Sequence, residues 1–256
     1  MSRTVLALAR RALRNVLRRP QFIAPLVVFP SLMLAANVGG LSRTTSLPGF
    51  PSDVHGFLDF QLAAAITQSL LLGGVSAGIA VALEIEGGFF DRLLAAPIPR
   101  IAIVLGRLAA TTVIALAQVV YFLGLGLVFG AHIKAGVPGA LLVAAIGAVA
   151  GTGFGALGVM LALRAKSAST VQGIFPLVFV VLFVSSAFFP RQLLESPARQ
   201  IARYNPLSYL ADGMRDPIVH SLRAGPALEG LAAAGGIAAV AIAFSVLALR
   251  GRLGQT

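Results

Sequence analysis

Long apolar runs alternate with short polar ones along most of the chain. Six runs, at about residues 21–41, 60–83, 101–129, 137–163, 170–189 and 227–249, carry few charges. Each approaches or exceeds the roughly 20 residues that a helix needs to cross the bilayer hydrocarbon. In lipid the backbone must satisfy its own hydrogen bonds, and a helix does so within one segment. The pattern predicts an all-α polytopic membrane protein with six transmembrane helices in a single domain over residues 1–256. Residues 2–19 follow a helical period instead. At about 100° per residue, Arg3, Arg10, Arg11, Arg14 and Arg18 share one arc, and Val5, Leu6, Ala9, Ala12, Leu13, Val16 and Leu17 take the other. Such an amphipathic helix suits the headgroup region, apolar face down. A signal peptide fits less well, because the charged region is long and no convincing small-residue cleavage site follows.

Polar and small residues inside the runs add detail. Pro25 and Pro30 predict a kink in the first span. Gln68 and Ser69 lie mid-way along the second, where Gln68 needs a partner, with a neighbouring helix the simplest one. Gly74 and Gly78 allow a close helix contact. The third run is longer than a bilayer requires and should tilt or extend past it. Arg107 near its start is expected to reach the headgroups. Gly147, Gly151, Gly155 and Gly158 smooth one face of the fourth span, expected inside the bundle, with homodimerisation as the rival use. In the fifth, Phe175, Phe179 and Phe183 form a stripe beside a Pro176 kink. The loop at 42–58 carries Pro48, Pro51, Asp53 and a solvated His55.

Composition narrows the chemistry. The chain is 57% apolar and 11% charged, against about 25% charged in soluble domains. Its net charge of +11 sits in short segments beside spans, which points to anionic lipid rather than nucleic acid. There are 18 arginines, 2 lysines and no cysteine, so thiolate metal sites and disulfides are excluded, and the arginine bias suggests a GC-rich bacterial genome. The three histidines are far apart, and no metal-ligand or catalytic spacing appears. Neither lysine belongs to a Gly-x-x-x-x-Gly-Lys-[Ser/Thr] loop, so no catalytic or cofactor-binding residue is assigned. With residue 1 inside and six spans, thirteen Arg and Lys fall in inside segments and seven in outside ones. The positive-inside rule then puts both termini and residues 84–100 in the cytosol.

Two polar stretches stand out. Glu84, Glu86 and Asp91 cluster between the second and third runs, with Gly87-Gly88 before and Pro97 and Pro99 after a short amphipathic segment, Phe89, Phe90, Asp91, Arg92, Leu93 and Leu94. A short cytosolic helix is predicted there, either an interfacial connector or a docking element. Residues 190–226 hold Arg191, Arg199, Arg203, Arg215 and Arg223. Asn205-Pro206 reads as an N-cap with proline in the first turn. Short helices on the outer side are predicted, with an ordinary basic loop as the alternative.

An acidic, glycine-containing short helix followed by Pro-x-x-Arg before a span resembles the coupling loop of ABC-type-2 exporter permeases, the membrane subunits of daunorubicin-resistance-type and polysaccharide-type exporters. The family usually carries Gly-Thr-Leu-Glu where this chain has Gly88-Phe89-Phe90-Asp91. The amphipathic start, the six runs and Asn205-Pro206-Leu207-x-Tyr209 with Arg215 extend the likeness over the whole chain.

The resemblance implies a permease subunit of an ATP-driven exporter in a bacterial inner membrane. Its cargo would be a hydrophobic or amphipathic drug, antibiotic, lipid or glycolipid. ATP and Mg²⁺ would belong to a partner ABC ATPase dimer, which would grip Glu84, Glu86, Phe89, Phe90, Asp91, Arg92, Leu93 and Leu94. A second permease subunit, identical or related, would complete the pathway. Asn205, Pro206, Tyr209 and Arg215 would form outer gate helices, and Phe29, Phe175, Phe179 and Phe183 would line the route. The alternatives are a secondary transporter or channel independent of an ATPase, and a membrane anchor that moves nothing. Scarce acidic residues within the spans weigh against ion-driven transport.

Overall fold

The computed structural model describes residues 1–46, 50, 54 and 56–253, with only the backbone for Phe175, Arg252 and Leu253. The expectations for Pro48, Pro51, Asp53 and His55, and for the Phe175 side chain, lie outside the described residues. The helices among them are α1 (Ser2–Leu17), α2 (Pro20–Leu41), α3 (Phe57–Glu86), α4 (Phe89–Ala95), α5 (Arg100–Val128), α6 (Gly136–Ala165), α7 (Ala168–Gly173), α8 (Phe175–Phe183), α9 (Ala198–Tyr204), α10 (Pro206–Val219) and α11 (Ala224–Leu253). Among the described residues, five segments are long and apolar enough to cross a membrane: α2 with the turn after it, α3, α5, α6 and most of α11.

The fifth apolar run departs from the single predicted span. It is two short helices, α7 and α8, that meet at Ile174. Pro176 has no N–H to donate, and its ring crowds the carbonyl four residues back; α2 runs on through Pro25 and Pro30, whereas here one helix ends at Gly173 and the next begins at Phe175. The nine residues of α8 rise only about 14 Å, half of the hydrocarbon thickness. The chain then bends through 184–189, and a short 3-10 turn, Arg191–Leu193, leads towards α9.

Local chemistry explains the other boundaries. Gly88 adopts φ of +68°, a left-handed conformation that reverses the chain between α3 and α4 at no side-chain cost. Pro99 precedes α5 in extended backbone. Asn205 caps α10 by accepting from the Leu207 N–H at 2.9 Å, with Pro206 in the first turn.

α6 is the centre of the bundle, packed by α3, α5, α10 and α11. Its glycines permit this. A Cβ at Gly74 would lie 2.5 Å from the Phe154 carbonyl oxygen, and one at Gly158 would lie 2.1 Å from that of Gly74. The α3–α6 crossing therefore depends on bare backbone on both sides. Gly147, Gly151 and Gly155 meet Val119, Ala115 and Thr111 of α5. The smooth face of α6 is thus spent inside the subunit. α10 is buried as well: Leu207, Leu210, Met214 and Ile218 enter the core with Leu62, Ile66, Phe122 and Ile146.

α1 lies against α5, where Leu8 fits over Gly106 and Ala9 and Ala12 are buried. Its apolar side divides. The alanines face protein, while Leu6 and Leu17 are 70% and 71% exposed, as an interfacial helix requires.

Candidate coupling site

The last turn of α3 brings Glu84 beneath α1 and α5. Its carboxylate pairs with Arg11 at 3.2 Å and with Arg107. The Arg11 guanidinium also lies 3.6 Å from the centroid of the Phe89 ring, a cation–π contact. Burial pushes the Arg11 guanidinium down from its ordinary value, though an arginine stays charged. One acid thus joins α1, α3, α4 and α5. Arg107 does not reach for headgroups, as its position suggested. It turns inward, because an arginine within a span is stabilised most by a nearby carboxylate. Glu86 accepts a hydrogen bond from the Ala168 N–H at 2.8 Å and so ties the end of α3 to the first turn of α7.

On α4 the residues separate by face. Phe90 is 1% exposed, in a cluster with Val81, Ile85, Val104, Leu163, Val171 and Leu249. It is seated inside the permease, whereas the sequence reading places it among the residues that a partner grips. Leu93 and Leu94 are partly buried against the same cluster. Asp91 and Arg92 are exposed.

A second network lies near the N-terminal end of α3. Buried Arg215 donates to the Phe60 carbonyl at 3.1 Å, the Ser186 carbonyl at 3.2 Å, the Ala187 carbonyl, and Asp212 at 2.6 Å. Its guanidinium stacks 3.7 Å from the Phe60 ring centroid. Asp212 also pairs with Arg191 at 2.9 Å and accepts from the Ser186 hydroxyl. Asn205 donates to the Val181 carbonyl at 2.8 Å while capping α10, and Tyr209 donates to the Arg203 carbonyl at 2.8 Å. The bonds to Val181, Ser186 and Ala187 satisfy carbonyls left open where α8 stops short. Three of the four residues expected at the outer gate, Asn205, Tyr209 and Arg215, thus fasten α10 to its surroundings, while Pro206 is exposed in its first turn.

These features agree with a comparison of the whole sequence. A family model described as ABC-2 type transporter matches residues 3–219, from the first turn of α1 to the end of α10. The chain belongs to the ABC-2 type transporter family. It is also 28% identical over 217 residues, covering 82% of this chain and 72% of the relative, to the protein named "Putative transport permease ycf38" of Porphyra purpurea. Membership makes the chain a membrane permease subunit, with an ABC ATPase as the associated partner. Among the described residues, no group of His, Cys, Asp or Glu could hold a metal ion.

In this ABC-2 permease three of the phenylalanines expected on a pathway, Phe29, Phe179 and Phe183, lie on one outer face. Phe29 of α2 meets Phe179 of α8 edge to face at 5.5 Å, and Phe179 neighbours Phe183 at 6.2 Å. Phe29 and Phe183 are about half exposed. Gln68 is 1% exposed, and neither its Oε1 nor its Nε2 is hydrogen bonded, so the expected tie to a neighbouring helix is not made. Gln118 donates instead to Ser69, to its carbonyl at 2.8 Å and its hydroxyl at 2.9 Å. Sequence reasoning missed Arg11, Arg107, Ser186 and Asp212. Two of them carried a signal: an arginine inside a span demands an acid, and Asp212 lies one helical turn before Arg215.

Proposed function

We propose that this permease is the membrane subunit of an ATP-driven exporter of a hydrophobic or amphipathic compound, with α4 as its coupling helix. The observation that carries this reading is the division of α4: Phe90 is seated in the core while Asp91 and Arg92 are exposed. A partner that grips the exposed face moves Phe90, and with it the cluster shared by α3, α5, α6, α7 and α11. The Arg11–Glu84–Arg107 group passes the same displacement to α1. Rigid packed helices transmit motion of this kind because close-packed cores do not deform continuously.

In this reading α4 and both termini face the cytosol of a bacterial cell, and α9 and α10 cover the outer end. Two permease subunits enclose the route. The faces of α2 and α8 are suited to that contact, since Val28, Phe29, Leu32, Leu177, Val180 and Phe183 are exposed there. The test is reconstitution with the associated ATPase. Asp91→Arg with Arg92→Glu should weaken its co-purification and abolish transport-linked stimulation of hydrolysis, while membrane insertion persists. Normal binding and stimulation in the double variant would remove α4 from the mechanism.

A further inference from the structure

A polar cavity of about 240 Å³ opens between α1, α2 and the adjoining ends of α3 and α5. Arg11, Asn15, Arg19, Glu84, Phe89 and Arg107 lie on its wall. Three arginines face one glutamate, which Arg11 and Arg107 share, so the cavity keeps an excess of positive charge. Pockets for drug-sized ligands run roughly 300–1,000 Å³; this one is smaller and suits a phosphate group.

The cavity does not end there. Ala12, Val16, Ala80 and Arg107 also line a second, mostly apolar cleft, only about 30 Å³ in volume, that continues past Ala77 and Gly73 to Ile114. Near the middle of α3 it is closed by polar ties: Ser69 donates to the Leu26 carbonyl of α2, and Gln118 of α5 donates to Ser69. A charged mouth thus opens beside a narrow apolar cleft that stops partway along the spans. α1, with Leu6 and Leu17 exposed, sets the mouth at headgroup depth.

We propose that this groove holds one anionic phospholipid from the leaflet on the α1 side. Its phosphate lies on Arg11, Asn15 and Arg19, and its acyl chains extend into the leaflet past Phe22 and Ala80 at the apolar side of the mouth. Guanidinium groups bind phosphate oxygens through paired, charge-assisted hydrogen bonds. Basic pockets between spans attract anionic headgroups for the same reason. A free phosphate would use the charged side of the mouth but gain nothing from Ala12, Val16, Phe22 and Ala80 on the same wall. The bound lipid would pack α1 against α2 and α5, and this holds whether or not α4 is the coupling helix.

Native mass spectrometry of the purified permease exposed to phosphatidylglycerol or phosphatidylcholine tests this. One phosphatidylglycerol per subunit should be retained where phosphatidylcholine is lost. Arg19→Gln should lower its occupancy about tenfold, the loss of one charge-assisted contact. Ala80→Leu, which narrows the junction of the two cavities, should lower it too. Arg18→Gln, exposed and off the cavity wall, should leave it unchanged, with circular dichroism confirming that each variant is folded. Equal retention of both lipids, or full occupancy in Arg19→Gln and Ala80→Leu, overturns the proposal. Inorganic phosphate that raises the melting temperature as much as phosphatidylglycerol does would overturn the lipid assignment in favour of a free anion.

Discussion

Arg107 of α5 and Glu84 of α3 form an ion pair whose side chains are each 13% exposed, at the point where α1 crosses both helices. Their partnership is the strongest polar tie between the start of the third span and the end of the second. Arg11, 36% exposed on its side chain, joins them from above.

Removal of one member of the buried pair leaves the other without its partner. Glu84→Ala or Arg107→Leu should each cost about 3 kcal/mol, read as a lowered melting temperature in mild detergent. The double variant should cost clearly less than the two together, giving a coupling energy of about 1–3 kcal/mol. Arg11→Leu should cost under about 1 kcal/mol, because water screens the more exposed partner. Strict additivity of the Glu84 and Arg107 substitutions would show that the two do not interact in the native protein.

Phe90 and Asp91 are neighbours in sequence with opposite environments, and their variants should separate accordingly. Phe90→Ala should destabilise the protein by about 3–5 kcal/mol, the usual cost of emptying a buried aromatic site. Asp91→Ala, at an exposed position, should cost under about 1 kcal/mol and act mainly on ATPase coupling. Thermal melts beside stimulated hydrolysis rates distinguish the two. Equal destabilisation by both would contradict the division of α4 into a buried and an exposed face.

Sequence pattern shows the helical class and most of this bundle for one physical reason. A span must be apolar over about 20 residues regardless of its neighbours, so α3, α5 and α6 are visible as runs. The break between α7 and α8 was visible only in part. Pro176 signals a disturbance, but whether a helix kinks or stops depends on what receives the freed carbonyls. Here Arg215 and Asn205, distant in sequence, receive those at Ser186, Ala187 and Val181. Partner choice was hidden for a similar reason. Periodicity places Arg11 on the polar arc of α1, and only the packing of α1 over Gly106 brings it to Glu84.

The orientation can be checked without background, because the chain contains no cysteine. Single cysteines at Ser46 and Leu222, both exposed, should react with a membrane-impermeant maleimide in intact cells. Cysteines at Asp91 and Ser169, also exposed but by the ends of α4 and α7, should react only after permeabilisation. The reverse pattern would place α4 outside the cell and end its candidacy as the coupling helix.

Arg215 should matter more than the acid it pairs with. It closes four polar contacts, to Asp212 and to the carbonyls of Phe60, Ser186 and Ala187. Arg215→Met leaves buried carbonyls unpaired, each lost partner costing about 1–3 kcal/mol, so the variant should lose at least about 3 kcal/mol. Asp212→Ala keeps the three carbonyl contacts but takes the acid from buried Arg215, so with 34% of its side chain exposed it should cost about 1–3 kcal/mol, less than Arg215→Met. Arg215→Lys should resemble Arg215→Met, since a single ammonium cannot span acceptors spread around a planar guanidinium. Because these contacts hold the α8 end against α3 and α10, both Arg215 variants should also expose Ser186→Cys to thiol reagents that spare it when Arg215 is intact. Equal melting temperatures for Asp212→Ala and Arg215→Met would mean that the carbonyl contacts contribute little and that the ion pair alone fastens α10.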